Sequence, residues 1–119
     1  MAKSCTVLVV EDEPLIRLDL VSMLKDQGCE TYEASNAAEA IAILEGNSEI
    51  TVVFTDIQMP GSMDGIDLAE WIGREMPRVK VLLTSGRIAR DQVGDWPMLA
   101  KPYRLGELEG QLRQFLDPS

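Results

Sequence analysis

Four polar stretches stand out against an apolar background. Glu11-Asp12-Glu13 follows the run Thr6–Val10, Asp56 closes Ile50–Thr55, Thr84-Ser85 follows Val79–Leu83, and Lys101 follows Met98–Ala100. Carboxylates, a hydroxyl and an ammonium drawn to one place would do a definite kind of chemistry. Asp12 and Asp56 on one edge repel each other unless a cation offsets their charge. Mg²⁺ suits such a place, because it takes oxygen ligands, needs few of them from protein and keeps its waters. A site holding Mg²⁺ beside a Lys and a hydroxyl is disposed to bind phosphoryl oxygens, and a carboxylate there can act as nucleophile to form an acyl phosphate. The chain has no His, which removes the commonest general base and zinc ligand together. It also lacks G-x-x-x-x-G-K-[ST], and no G-x-G-x-x-G follows a strand, so it has no nucleotide cradle. The expected phosphoryl donor is another protein or a small phospho-compound. Taken singly, each residue also has a plain structural reading, Asp56 as a strand terminus for example; the functional reading needs them to converge.

Convergence depends on the elements that carry them. Thr6–Val10 is a short, continuous, β-branched run that suits a strand buried on both faces. After Pro14, the apolar residues Ile16, Leu20, Met23 and Leu24 fall on one helical face, and Gly28 ends the helix. Cys29–Ala34 reads as a weaker strand. Ser35 or Asn36 caps a second helix with Ala37, Ala40, Ile41 and Leu44 on its apolar face, closed by Gly46. Ile50–Thr55 is a second strong strand. A loop from Gly61 to Gly65 leads to a third helix lined by Ile66, Ala69 and Ile72 and stopped by Pro77. Val79–Leu83 is a third strong strand, Gly86–Pro97 a short or irregular fourth helix, and Met98–Ala100 a brief strand. Leu105, Leu108, Leu112, Phe115 and Leu116 define a final amphipathic helix. Strands alternating with helices imply an α/β fold, a doubly wound five-stranded parallel sheet. In such sheets ligands bind at the carboxyl ends of the strands, where all four polar stretches fall.

Composition narrows the classes of function. The 119 residues are expected to form one domain, 1–119. Apolar residues make up 45%, too many and too periodic for disorder. No run approaches the roughly 20 apolar residues of a membrane span, and no signal-peptide cleavage site follows the N-terminal run. Twenty Asp and Glu against 11 Lys and Arg give a net charge of −9, a poor basis for direct nucleic-acid binding. Cys5 and Cys29, both in apolar segments, read as small core residues rather than a bridge. The expectation is an acidic cytoplasmic domain.

Val9-Val10-Glu11-Asp12-Glu13-Pro14, Asp56-Ile57-Gln58-Met59-Pro60 with Met63-Asp64-Gly65, Leu83-Thr84-Ser85-Gly86 and Lys101-Pro102-Tyr103 together resemble the receiver domain of two-component response regulators. The resemblance covers essentially the whole chain, and a member of this family exemplifies the flavodoxin-like strand order 2-1-3-4-5, which is therefore an inherited expectation. It implies that Asp56 is the phosphoacceptor, taking a phosphoryl group from a phosphohistidine on a sensor histidine kinase or phosphotransfer protein. It implies Mg²⁺ as cofactor, held by Asp12, Asp56 and the backbone carbonyl of Gln58, with Glu11 reaching it through water. Lys101 would pair with the phosphoryl oxygens, Thr84 would supply the hydroxyl that moves toward them, and the small Ser85 would leave them room. Pro102 matches a cis Lys-Pro bond that aims Lys101. Gln58 and Gly86 flank the site and should tune loss of the phosphoryl group.

The sequence also departs from the family. Met98 stands where members often have an aromatic switch residue, which leaves Tyr103 as another candidate. The loop from Met59 to Gly65 is one residue longer than the common form, and the interval from Thr84 to Lys101 is short. Arg87, Arg90 and Trp96 in that interval form a candidate docking patch for a downstream protein, although solvated arginines and a half-buried Trp are the plainer account of them. The resemblance implies a stand-alone switch, monomeric or dimerising on phosphorylation, without membrane insertion or direct nucleic-acid contact, and not an enzyme. Two other readings compete: a pseudo-receiver that binds partners without phosphorylation, and a Mg²⁺-dependent aspartyl phosphohydrolase. The first predicts loss of an essential group, whereas Asp12, Asp56, Thr84 and Lys101 are all present. The second needs an acid or base for turnover, and neither a His nor an Asp two residues after Asp56 exists.

Overall fold

In the computed structural model, residues 5–85, 97–100, 106–108 and 110–111 are described. The elements run β1 (Thr6–Val10), α1 (Pro14–Asp26), β2 (Glu30–Ala34), α2 (Ala37–Gly46), β3 (Val52–Asp56), α3 (Gly65–Glu75), β4 (Lys80–Ser85) and β5 (Met98–Ala100). All strand pairs are parallel, in the order β2-β1-β3-β4-β5. Residues 106–108 and 110–111 are helical, as expected of the last segment. Leu105, Leu112, Phe115, Leu116 and the expected fourth helix at 86–96 lie outside the described residues.

Strand alternation divides the core in two. Leu8, Val10, Val53, Val81 and Leu83 pack with Ala37, Ala40, Leu44, Leu68, Ala69 and Ile72, so α2 and α3 cover one face of the sheet. Val7, Val9, Val52, Phe54 and Leu82 pack with Leu20, Met23, Leu24 and Leu108 on the other. This double coverage is why the central strands are apolar without interruption. Ile16 departs from the expected α1 face: Leu20, Val21, Met23 and Leu24 are buried, whereas Ile16 is exposed along with Leu15 and Leu18.

Local signals account for the boundaries. Pro14 opens α1 as a preset first residue, and Gly28 follows its end at φ +88, a conformation costly for any residue with a Cβ. Asn36 is the cap of α2, its side chain accepting from the Glu39 N–H at 2.8 Å. Ser35 contributes in reverse, its N–H and hydroxyl both donating to the Glu39 carboxylate at 2.8 Å. Those bonds hold the Glu39 carboxyl below its ordinary range. A reciprocal Asp64–Asp67 capping box opens α3.

β3 and β4 run further than the apolar pattern implies, so Asp56, Thr84 and Ser85 belong to the ladder rather than to the loops after it. Ladder hydrogen bonds use the backbone and are indifferent to side-chain polarity.

Cys5 and Cys29 correct the sequence reading: they are core residues, but they are also joined by a disulfide. The Thr6↔Glu30 register places the two preceding residues side by side, with Cα atoms 4.8 Å apart. Register is not legible in a short strand read alone, which is why spacing did not reveal the pair. The bond ties edge strand β2 to β1 at the end of the sheet opposite Asp56. Since it closes a loop across 24 positions, reduction should lower stability by about 2–4 kcal/mol. Urea denaturation with and without a thiol reductant checks this; coincident curves would show that the bond adds nothing.

Candidate functional site

At the carboxyl edge of the sheet, Glu11 continues β1 by donating its N–H to the Ala34 carbonyl at 3.0 Å. Asp12 follows at the turn into α1, and Asp56 ends β3. One carboxylate oxygen from each of Glu11, Asp12 and Asp56 lies within 4.8 Å of the others. Glu11 and Asp56 are buried, at 2% and 6% exposure, whereas Asp12 faces solvent. Three acidic oxygens gathered in this way, two of them shielded from water, are the hard donor set that a divalent cation of the Mg²⁺ kind takes.

The bonds around them fix directions. A Glu11 carboxylate oxygen accepts from the Glu13 N–H at 3.1 Å, and an Asp56 oxygen accepts from the Gln58 N–H at 3.2 Å. The Asp56 main chain is held from several sides. Thr55 Oγ1 donates to its carbonyl at 3.0 Å, and the Ile57 N–H donates to the Thr84 carbonyl at 2.9 Å. Thr84, 1% exposed, is the register partner of Asp56 on β4. Next to it, Ser85 Oγ donates to Gln58 Oε1 at 2.9 Å, so the Gln58 side chain is tied across the strand ends.

Thus Glu11, Asp12, Asp56, Gln58, Thr84 and Ser85 come to one edge. Lys101, Pro102, Tyr103, Gly86, Arg87, Arg90 and Trp96 lie outside the described residues. Met98 is half-buried against the α2–α3 core, as is Trp71. Sequence reasoning missed what Gly65 does. Its N–H donates to the Ile57 carbonyl at 2.8 Å, and a Cβ there would stand 2.3 Å from the Asp56 carbonyl oxygen. It also passed over Arg17, whose only signal was a cation one turn into the helix after the acidic run. Away from the pocket, Tyr32 donates its hydroxyl to Glu49, which raises the Tyr32 pKa and lowers that of Glu49.

The family model for the response regulator receiver domain matches residues 7–113, nearly the whole chain. The chain belongs to that family. The receiver is 32% identical to a sensor kinase, CckA, of Brucella abortus, over 98% of this chain but only 13% of that protein. It is 37% identical to the transcriptional regulatory protein PdtaR of Mycobacterium tuberculosis, over 86% of this chain and 52% of that one. It therefore spans about half or less of these curated relatives. Among solved structures, the response regulator TrrA of Thermotoga maritima, in complex with Mg²⁺-BeF, superposes with a TM-score of 0.82. The two are 30% identical, and the match covers 94% of this chain and 99% of that one. Receivers are signalling modules of two-component systems. No helix among the described residues is long and apolar enough to cross a membrane.

Proposed function

We propose that residues 1–119 form one phospho-accepting receiver in which Asp56 takes a phosphoryl group from a phosphohistidine. The donor would be a sensor histidine kinase or a phosphotransfer protein. The observation that carries this reading is the gathering of the Glu11, Asp12 and Asp56 oxygens within 4.8 Å at the sheet edge. An Asp56 carboxylate oxygen attacks phosphorus and a P–O bond forms. The P–N bond breaks, and the imidazole nitrogen keeps the electron pair and takes up a proton. Mg²⁺, held by Asp12, Asp56 and the Gln58 carbonyl with Glu11 behind a water, would neutralise charge shared by carboxylates and phosphoryl oxygens.

The remaining roles belong to this chain's own groups. Lys101 pairs with phosphoryl oxygens, and the Thr84 hydroxyl moves to them from the strand beside Asp56. Ser85, which carries only a hydroxymethyl group, leaves the space open. The added charge then shifts the domain between two states that already exist, which changes the surface offered to a downstream protein. Met98 and Tyr103 are the proposed switch positions, and Arg87, Arg90 and Trp96 the proposed contact patch. On α1, beside the acidic pocket, Leu15 and Leu18 are 76% and 61% exposed and offer apolar contact to the phosphodonor.

Intact mass of the protein incubated with Mg²⁺ and a small acyl phosphate tests the reading. One phosphoryl adduct is expected, and chelation of the metal should prevent it. An unmodified mass with the metal present, from both the acyl phosphate and a phosphorylated histidine protein, would refute the proposal.

A further inference from the structure

Arg17 lies in the second turn of α1, half-buried, with its guanidinium between two elements. Nη1 donates to the Glu11 carbonyl at 2.7 Å, and Nε donates to Glu33 Oε1 on β2 at 3.1 Å. The Glu11 N–H is meanwhile committed to Ala34, the residue after Glu33. Both main-chain polar groups of Glu11 are thus fastened toward the end of β2, one directly and one through Arg17. Glu11 is the residue from which the chain turns to present Asp12, and its own carboxylate belongs to the acidic cluster. From this we infer that Arg17 is a positioning residue: by gripping the Glu11 carbonyl and Glu33 together, it sets the Glu11-Asp12 turn for Mg²⁺. The inference rests on the reading of the acidic cluster as a Mg²⁺ site.

Charge and geometry give opposite signs, which makes the idea easy to test. A cation close to a cation site weakens binding by Coulomb's law, so if charge alone acted, removing Arg17 would tighten Mg²⁺. If Arg17 acts by holding the turn, removing it weakens Mg²⁺, as loss of an outer partner of a metal ligand generally does. Lysine keeps the charge, but a single ammonium does not reproduce a planar fork that reaches two acceptors.

The measurement is Mg²⁺ affinity by calorimetric titration, with the metal alone as probe and circular dichroism to confirm that each variant is folded. Arg17→Met, which keeps the apolar stem, is expected to bind Mg²⁺ about 10-fold more weakly than wild type. Arg17→Lys should fall between the two. Glu33→Ala should weaken binding less than Arg17→Met, and adding it to Arg17→Met should cost little more, because Glu33 acts through Arg17. Unchanged or tighter binding by folded Arg17→Met would overturn the inference while leaving the metal site standing. Failure of the wild type to bind Mg²⁺ would instead bring down the reading beneath it.

Discussion

Asp56→Asn is expected to abolish the phosphoryl adduct and, with it, about half of the stabilisation that Mg²⁺ confers on the fold. The amide keeps the shape of the carboxylate, and its oxygen can still accept from the Gln58 N–H that now lies at 3.2 Å. It lacks the negative charge and the nucleophilicity, so no acyl phosphate forms. The proposed metal site would also lose one of three acidic donors that lie within 4.8 Å of one another. Mg²⁺ at 100 times its dissociation constant stabilises a protein by about 2.7 kcal/mol, and a 10-fold weaker site forfeits about 1.4 kcal/mol of that. Urea denaturation of both proteins with and without Mg²⁺ reads this difference directly. Equal stabilisation of the two would place the metal away from Asp56.

Gly65→Ala is expected to destabilise the fold by about 3 kcal/mol or more and to slow phosphoryl acceptance, although helix propensity alone argues the other way. Gly65 has no positive φ, so conformational freedom is not the reason for a glycine here. Proximity is. A Cβ at this position would meet the Asp56 carbonyl oxygen at 2.3 Å and the Ile57 Cα at 2.7 Å, and both are backbone atoms that no rotamer change can clear. Either the start of α3 or the end of β3 must move, and the second displaces Asp56, the proposed phosphoacceptor. Gly46→Ala is the control, since a Cβ there meets nothing within 4 Å, and it should change stability by no more than about 1 kcal/mol. A Gly65→Ala protein as stable as wild type would show that β3 and α3 yield easily.

The strong strands were legible because their periodicity is physical: a strand covered on both faces has no polar side to alternate with. The same rule blurred their ends, so Asp56, Thr84 and Ser85 read as residues after strands when they are rungs of them. The acidic pocket could be read because strand ends converge in any doubly wound sheet. The pairing of Cys5 with Cys29 was not, since it depends on a register set by the whole β1–β2 pair. Gly65 resisted for a similar reason: its role comes from a neighbour eight or nine positions back in the chain. Ile16 shows the limit of helical periodicity, which identifies a stripe but not where the covering stops.

That Asp56 sits on a rung of the ladder has a mechanical consequence. A lever does work only against a fixed fulcrum. A phosphoacceptor on a pliant loop would dissipate the push of a new dianion by shifting its own backbone. Asp56 ends β3, a strand that lies between β1 and β4, and is itself the register partner of Thr84 on β4, so its backbone belongs to a central strand, the kind of element that opens least readily. Recoil at the point of attachment is therefore blocked. If Asp56 is phosphorylated as proposed, the displacement would go to what surrounds it, namely the Thr84 side chain, the Ser85–Gln58 tether and the turns that leave the sheet.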